Sequence, residues 1–228
     1  MTVAEDFLLL AYNDTGRPRV DGTKLKAALA GAAILELTLA GALRLTEAGE
    51  PNHKKGRLVA TGVTPDDPRL AELVTVADGR RPKDAVGKVA GFSAWRSRSR
   101  DLREALLRDL VDAGQFTESP TKVLGLFPTT LWRPNPAGEQ ARVQRQVRAA
   151  VVEGAEPDDR TAALVSILHA VDMLPKLFPD ADKRAVKRRG KAISESNWGG
   201  AAVRKAVQEV HAVTAAVIAS TAAASSGS

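Results

Sequence analysis

The 228-residue chain has no cysteine, which removes disulfides and thiolate metal sites together and suits a reducing compartment. Histidine is almost as scarce. His53, His169 and His211 are scattered, and none has a second histidine at ligand spacing, so no metal site is expected. The sequence also lacks a glycine-rich phosphate loop, HExxH, GxSxG and a paired-cysteine zinc pattern. His169 and Asp172 fall three residues apart on one predicted helix face, the spacing of a base and its orienting carboxylate. No nucleophile can be assigned beside them, and a satisfied interior histidine is the better reading. These absences point to a binding protein without cofactor rather than an enzyme.

Long apolar runs are missing too. No uncharged apolar stretch in the body of the chain reaches the about 18 residues of a membrane-crossing helix, so any membrane association is expected to be peripheral. Glu5 and Asp6 precede the first short apolar run, Phe7 to Tyr12, where a secretory signal would carry basic residues. The expected location is therefore cytoplasmic, peripherally associated with the inner face of a membrane.

The chain does hold an ordinary globular composition, 44% hydrophobic and 26% charged, with no linker-like break. One domain over residues 1–220 is expected, with 221–228 as a frayed tail. Its richness in alanine and arginine points to a high-GC bacterial coding sequence. Lys and Arg number 33 against 27 Asp and Glu, a formal charge of +6 that matters where it clusters. The clusters are the central arginines, His53-Lys54-Lys55-Gly56-Arg57, and Lys183 to Lys191 (KRAVKRRGK). Such patches favour anionic partners.

Helices are predicted over 3–12, 24–39 (capped by Asp21 or Thr23), 64–76, 83–90, 138–153, 158–176, 181–193 and 200–220. Glu36 sits inside the apolar pattern of the second, where a carboxylate is expected to be ion-paired or at the core's edge. Two segments share one plan. Leu39 to Leu43 and Val111 to Phe116 each run from a helix end through Ala-Gly or Gly into a strand, and after the first of these a basic turn leads to a second strand predicted over 57–63. Helix, glycine stop and hairpin is the outline of a winged-helix unit. The expected fold class is thus mainly α, a single helical domain with winged-helix-like β-hairpins.

The second of these units is the chain's most informative stretch. Leu102, Leu106 and Leu110 recur every four residues, with Leu107 and Val111 beside them, so an amphipathic helix is predicted. Its polar side carries Arg96, Arg98, Arg100, Arg103 and Arg108 against Asp101 and Glu104. Arg100 and Arg103 share a face beside the apolar stripe, a pairing suited to a phosphate, which guanidinium binds bidentately. Ala113-Gly114 stops the helix, and Gln115 to Trp132 reads as a hairpin with an apolar middle, Val123-Leu124-Gly125-Leu126-Phe127.

Four stretches in order resemble the Golgi phosphoprotein 3 family, peripheral membrane proteins that bind phosphatidylinositol 4-phosphate. They are Glu5-Asp6-Phe7-Leu8-Leu9-Leu10; Gly31 to Leu37 with Gly41; Arg103-Glu104 through Leu110 to Gly114; and Arg160-Thr161-Ala162-Ala163-Leu164 with His169 and Asp172. The resemblance implies a lipid pocket in which Arg100 and Arg103 hold the headgroup, and a membrane-inserting hairpin at about 119–130 whose tip is Val123, Leu124, Leu126 and Phe127. It also places Asp21 where the family has a tryptophan and Ala30 where it has an arginine. Arg17, Arg19, Lys24 and Lys26 are near enough in sequence to restore some of that charge.

The function expected from these residues is recognition of phosphatidylinositol 4-phosphate or a related anionic phospholipid on a membrane surface, with a protein cargo as the further partner that the family's roles imply. Two other readings compete. A winged-helix nucleic-acid binder would use the His53–Arg57 turn and the Lys183–Lys191 run, although the helices that would face a groove are mostly apolar, which counts against base readout. An adaptor would use the apolar hairpin as a contact for protein tails.

Overall fold

Thr2 starts the first helix, α1 (Val3–Ala11), with a capping box. Its Oγ1 accepts from Glu5 N–H at 3.2 Å, and its own N–H donates to Glu5 Oε2 at 2.6 Å. Phe7 to Ala11 are all buried, so α1 runs inside the core and its last carbonyls need partners there. Gln140 supplies them, its Nε2 donating to the Leu9 carbonyl at 2.6 Å and the Tyr12 carbonyl at 3.3 Å.

The structure, a computed structural model, describes residues 1–91, 98–123, 127–135 and 137–196, with 208, 209, 212 and 214–216 beyond them; for 122, 123, 127 and 128 the description is of backbone alone. Helix α2 (Gly22–Leu39) is buried on nearly every side, from Leu25 to Thr38. A helix apolar all round belongs at the centre of a domain. It packs there against α1 and against α3 (Pro68–Ala77), α4 (Pro82–Ala90), α5 (Arg98–Asp112) and α7 (Asp159–Ala170). The outer layer continues with α6 (Glu139–Val151), the single-turn α8 (Leu174–Leu177) and α9 (Lys183–Glu195). The described residues are mainly helical with two small antiparallel hairpins, β1 (Leu43–Leu45) with β2 (Leu58–Ala60), and β3 (Phe116–Val123) with β4 (Phe127–Pro134).

The internal repeat read from the sequence is a repeat of geometry. After α2, Gly41 adopts φ 74°, its N–H donates to the Thr38 carbonyl at 3.1 Å, and Ala42 N–H donates to the Leu37 carbonyl at 2.9 Å. After α5, Gly114 adopts φ 70°, and the matching bonds run to Val111 at 2.9 Å and from Gln115 to Leu110 at 2.7 Å. Both are Schellman caps, which turn the chain sharply from helix into strand. Each delivers a hairpin beside the helix it follows, the winged-helix outline.

Two expectations are corrected. The helix predicted over 158–176 ends at Ala170, because Asp172 takes φ 56°, a left-handed conformation that no helix interior accommodates. His169 and Asp172 therefore do not share a helix face. His169 stays half-buried, and Asp172 turns outward to Lys187 Nζ at 2.8 Å. The strand predicted over 57–63 is shorter, Leu58–Ala60, paired with β1 in the register Leu43↔Ala60. Most of the helix predicted over 200–220 and the 221–228 tail lie outside the described residues, as do Trp95 and Arg96.

Candidate functional site

Helix α5 buries Leu102, Leu106, Leu107 and Leu110, which leaves its arginine side toward the β3–β4 hairpin and solvent. Arg100, Arg103 and Arg108 line one cleft there with Glu104. The opposite wall is the hairpin. Glu118 pairs in register with Trp132, and Pro120 with Thr130, so Glu118, Thr130 and Trp132 project to one side of the two-residue repeat and line the cleft, with Thr129 at its edge. The cleft volume is about 330 Å³.

One carboxylate serves three guanidiniums in this cleft. Glu104 Oε1 lies 3.3 Å from Arg100 Nε and 3.9 Å from Arg103, and Oε2 lies 4.0 Å from Arg108. Such partly solvated pairs contribute about 0–1 kcal/mol each, so they hold the arginines in place weakly. None is bidentate. Arg103 is the most enclosed of the three, 28% exposed against 68% for Arg100 and 67% for Arg108. Its Nε is buried and has no hydrogen-bond acceptor among the described residues. Behind it, Tyr12 packs edge-on against Phe116 with ring centroids 5.8 Å apart. Burial pushes the Tyr12 phenol above its ordinary value, with Arg103 and Glu104 acting on it in opposite directions. The cleft can thus offer several charge-assisted donors to an anion whose oxygens outnumber those of Glu104.

The sequence-predicted residues divide. Arg100 and Arg103 meet in the cleft, while Arg17, Arg19 and Lys24 are not among its lining residues. The loop bearing Arg17 touches the hairpin wall through Gly16, whose carbonyl accepts from Trp132 N–H at 3.1 Å. The Arg19 carbonyl instead accepts from Lys176 Nζ at 2.8 Å, toward α8. Lys24 lies 4.0 Å from Asp21, and Asp21 Oδ1 caps α2 by accepting from Thr23 and Lys24 N–H at 3.0 and 2.9 Å. That carboxylate is occupied by the helix terminus, where negative charge is favourable. Ala30 is fully buried in α2. At the hairpin tip, Val123 and Phe127 face each other in register at the ends of β3 and β4, and Leu124 and Leu126 lie outside the described residues.

Arg108 and Trp132 were not predicted as site residues. The i, i+4 spacing of Arg100, Glu104 and Arg108 was the available signal for the first. Trp132 needed the strand register. The other carboxylate singled out from sequence, Glu36, proves structural: its Oε2 accepts from Val3 N–H at 2.6 Å and lies 3.7 Å from Arg160, which also pairs with buried Asp6 at 2.9 Å.

Among the described residues no group of three or more His, Asp or Glu side chains is arranged to hold a metal ion, and no helix is long and apolar enough to cross a membrane. The model of the Golgi phosphoprotein 3 (GPP34) family matches residues 3–210, nearly the whole chain. Comparison with curated proteins found no match.

Proposed function

The chain belongs to the Golgi phosphoprotein 3 family, and from that membership we propose that it is a peripheral membrane protein recognising the phosphorylated headgroup of an anionic phospholipid, phosphatidylinositol 4-phosphate or a relative of it. The observation that carries this reading is the convergence of Arg100, Arg103 and Arg108 on a single carboxylate in a cleft walled by the hairpin. Arg103, with its buried and unspent Nε, is the inner ligand of the phosphate, and Arg100 and Arg108 close on it from the rim. Arg17 adds charge from the flanking loop.

The hairpin contributes the apolar half of the contact. Val123, Leu124, Leu126 and Phe127 cluster in sequence where β3 gives way to β4. Their entry into the interface supplies several kcal/mol at about 25 cal/mol per Å² of apolar area. Neighbouring arginines add about 1 kcal/mol each at an acidic surface. Neither contribution alone anchors a protein stably, and together they do.

Co-sedimentation with vesicles of phosphatidylcholine, with and without phosphatidylinositol, tests membrane docking. Wild type is expected to pellet with the acidic vesicles and Leu126→Ser/Phe127→Ser to remain in solution. Equal pelleting of both proteins would remove the hairpin from the reading, and no pelleting of wild type would remove the membrane.

A further inference from the structure

A larger local excess of positive charge lies away from the hairpin, between α8 and α9. Helix α9 buries Val186, Gly190 and Ile193 and turns Lys183, Arg184, Lys187, Arg188 and Lys191 outward. Lys183, Arg184 and Lys187 line a cleft of about 380 Å³ with Lys176 and Pro175 of α8 and with Asp172. Four cationic side chains thus face one carboxylate, whereas the α5 cleft sets three arginines against two glutamates.

Two of the four cations are already engaged. Lys187 Nζ holds Asp172 at 2.8 Å, and Lys176 Nζ donates to the Arg19 carbonyl at 2.8 Å. Lys183 and Arg184 form no ion pair among the described residues. The walls are fixed by close packing. A Cβ on Gly190 would fall 2.5 Å from Leu174 Cδ1 and 3.3 Å from His169 Nδ1, so it is the glycine that lets α9 close onto α8. The left-handed Asp172, φ 56°, makes the turn that brings α8 beneath α9.

We infer that this cleft is a second anion site, one that takes the phosphate ester of a polyol. Crowded ammonium and guanidinium groups repel one another within a Debye length, and a dianionic phosphate among them relieves that repulsion. Each lysine offers three donors and Arg184 a planar fork, while the carboxylate of Asp172, still largely exposed, is an acceptor for a ligand hydroxyl. The site is concave and of a size for one phosphate group with its polyol, which separates it from a surface that tracks a nucleic-acid backbone. The same chemistry is presented by a phospholipid headgroup and by a soluble polyol phosphate.

The test uses the full chain and the pair Lys183→Ala/Arg184→Ala, which leaves the Lys187–Asp172 and Lys176–Arg19 contacts intact. Glycerol phosphate is titrated while backbone amide shifts are followed. The expected result is movement of amides 172–187 in wild type and in Arg100→Ala/Arg103→Ala, and none in Lys183→Ala/Arg184→Ala. Because the α5 cleft is removed in one arm, this outcome does not depend on its role. Vesicles of phosphatidylcholine with phosphatidylglycerol then identify the source. A roughly tenfold loss of vesicle affinity in Lys183→Ala/Arg184→Ala assigns the site to a lipid headgroup, and unchanged vesicle affinity assigns it to a soluble ester. Unmoved amides in wild type, equal movement with sodium chloride at matched ionic strength, or movement that persists in Lys183→Ala/Arg184→Ala would overturn the proposal.

Discussion

Trp132 and Gly16 are in backbone contact: the Trp132 N–H donates to the Gly16 carbonyl at 3.1 Å, and a Cβ on Gly16 would fall 2.9 Å from that same nitrogen. Gly16 also holds φ 79°, so an L side chain there meets both strain and collision. This one glycine fixes the loop carrying Arg17 against the strand that walls the candidate cleft. Gly16→Ala is expected to cost about 2–3 kcal/mol of stability. It should also weaken acidic-vesicle binding by pushing β4 away, measured by denaturant unfolding and co-sedimentation on the same preparation. A variant as stable as wild type would show that loop and strand are not tightly coupled.

Glu104 is the internal counter-ion of the three cleft arginines, and its pairs are long and partly solvated. A phosphate bound as proposed would have to displace it. Glu104→Gln is therefore expected to raise affinity for acidic vesicles by roughly three- to tenfold. Stability should change by no more than about 1 kcal/mol, the scale of surface ion pairs. Lower affinity in the variant would mean that Glu104 positions the arginines more than it competes for them.

Arg160 serves two carboxylates at once, Asp6, 6% exposed, at 2.9 Å and Glu36 at 3.7 Å. Burial already raises the Asp6 carboxyl above its ordinary range, with Arg160 opposing the shift. Arg160→Met leaves that carboxylate without its partner. The expected loss is about 2–4 kcal/mol, somewhat below that for a fully buried pair because Arg160 is itself partly solvated. A raised carboxyl favours the folded state while protonated and loses that contribution as pH rises through its folded value. The deficit of the variant should therefore grow as pH rises beyond the ordinary carboxylate range, read by urea unfolding across that rise.

His169 gives the opposite slope. Burial lowers it from the ordinary 6.5, with Lys187 and Lys191 acting in the same direction and Asp172 and Glu195 against it. The folded state prefers the neutral ring, so the stability it contributes is complete above the unfolded value and is lost as pH falls through the depressed one. Melting temperature should drop between about pH 7 and about pH 5 in wild type, and His169→Gln should flatten that part of the curve. An identical slope in both proteins would assign the acid sensitivity elsewhere.

Much of the fold was legible because its signals are local. The leucine spacing in α5 fixed its buried face, and the glycines at 41 and 114 ended two helices by the same cap. What sequence missed lies in pairings between distant segments. Asp21, placed by family resemblance in the pocket, is committed to capping α2, a role also open to it from position alone. Trp132 enters the cleft because β4 pairs in one register with β3, and no periodicity in a single strand reveals its partner. The break at Asp172 went unread because an aspartate in a left-handed turn leaves no glycine as a marker. That break takes Asp172 off the helix face of His169 and makes it part of the basic cleft at α9.

The most direct measurement is the affinity of the full chain for vesicles containing phosphatidylinositol 4-phosphate against matched phosphatidylinositol vesicles, for wild type and for Arg100→Ala/Arg103→Ala. The account predicts that wild type prefers the phosphorylated lipid and that the double variant loses roughly tenfold or more of that binding, falling to the level seen with phosphatidylinositol. Undiminished preference for the phosphorylated lipid in the double variant would contradict it, because the phosphate would then be read somewhere other than the α5 cleft.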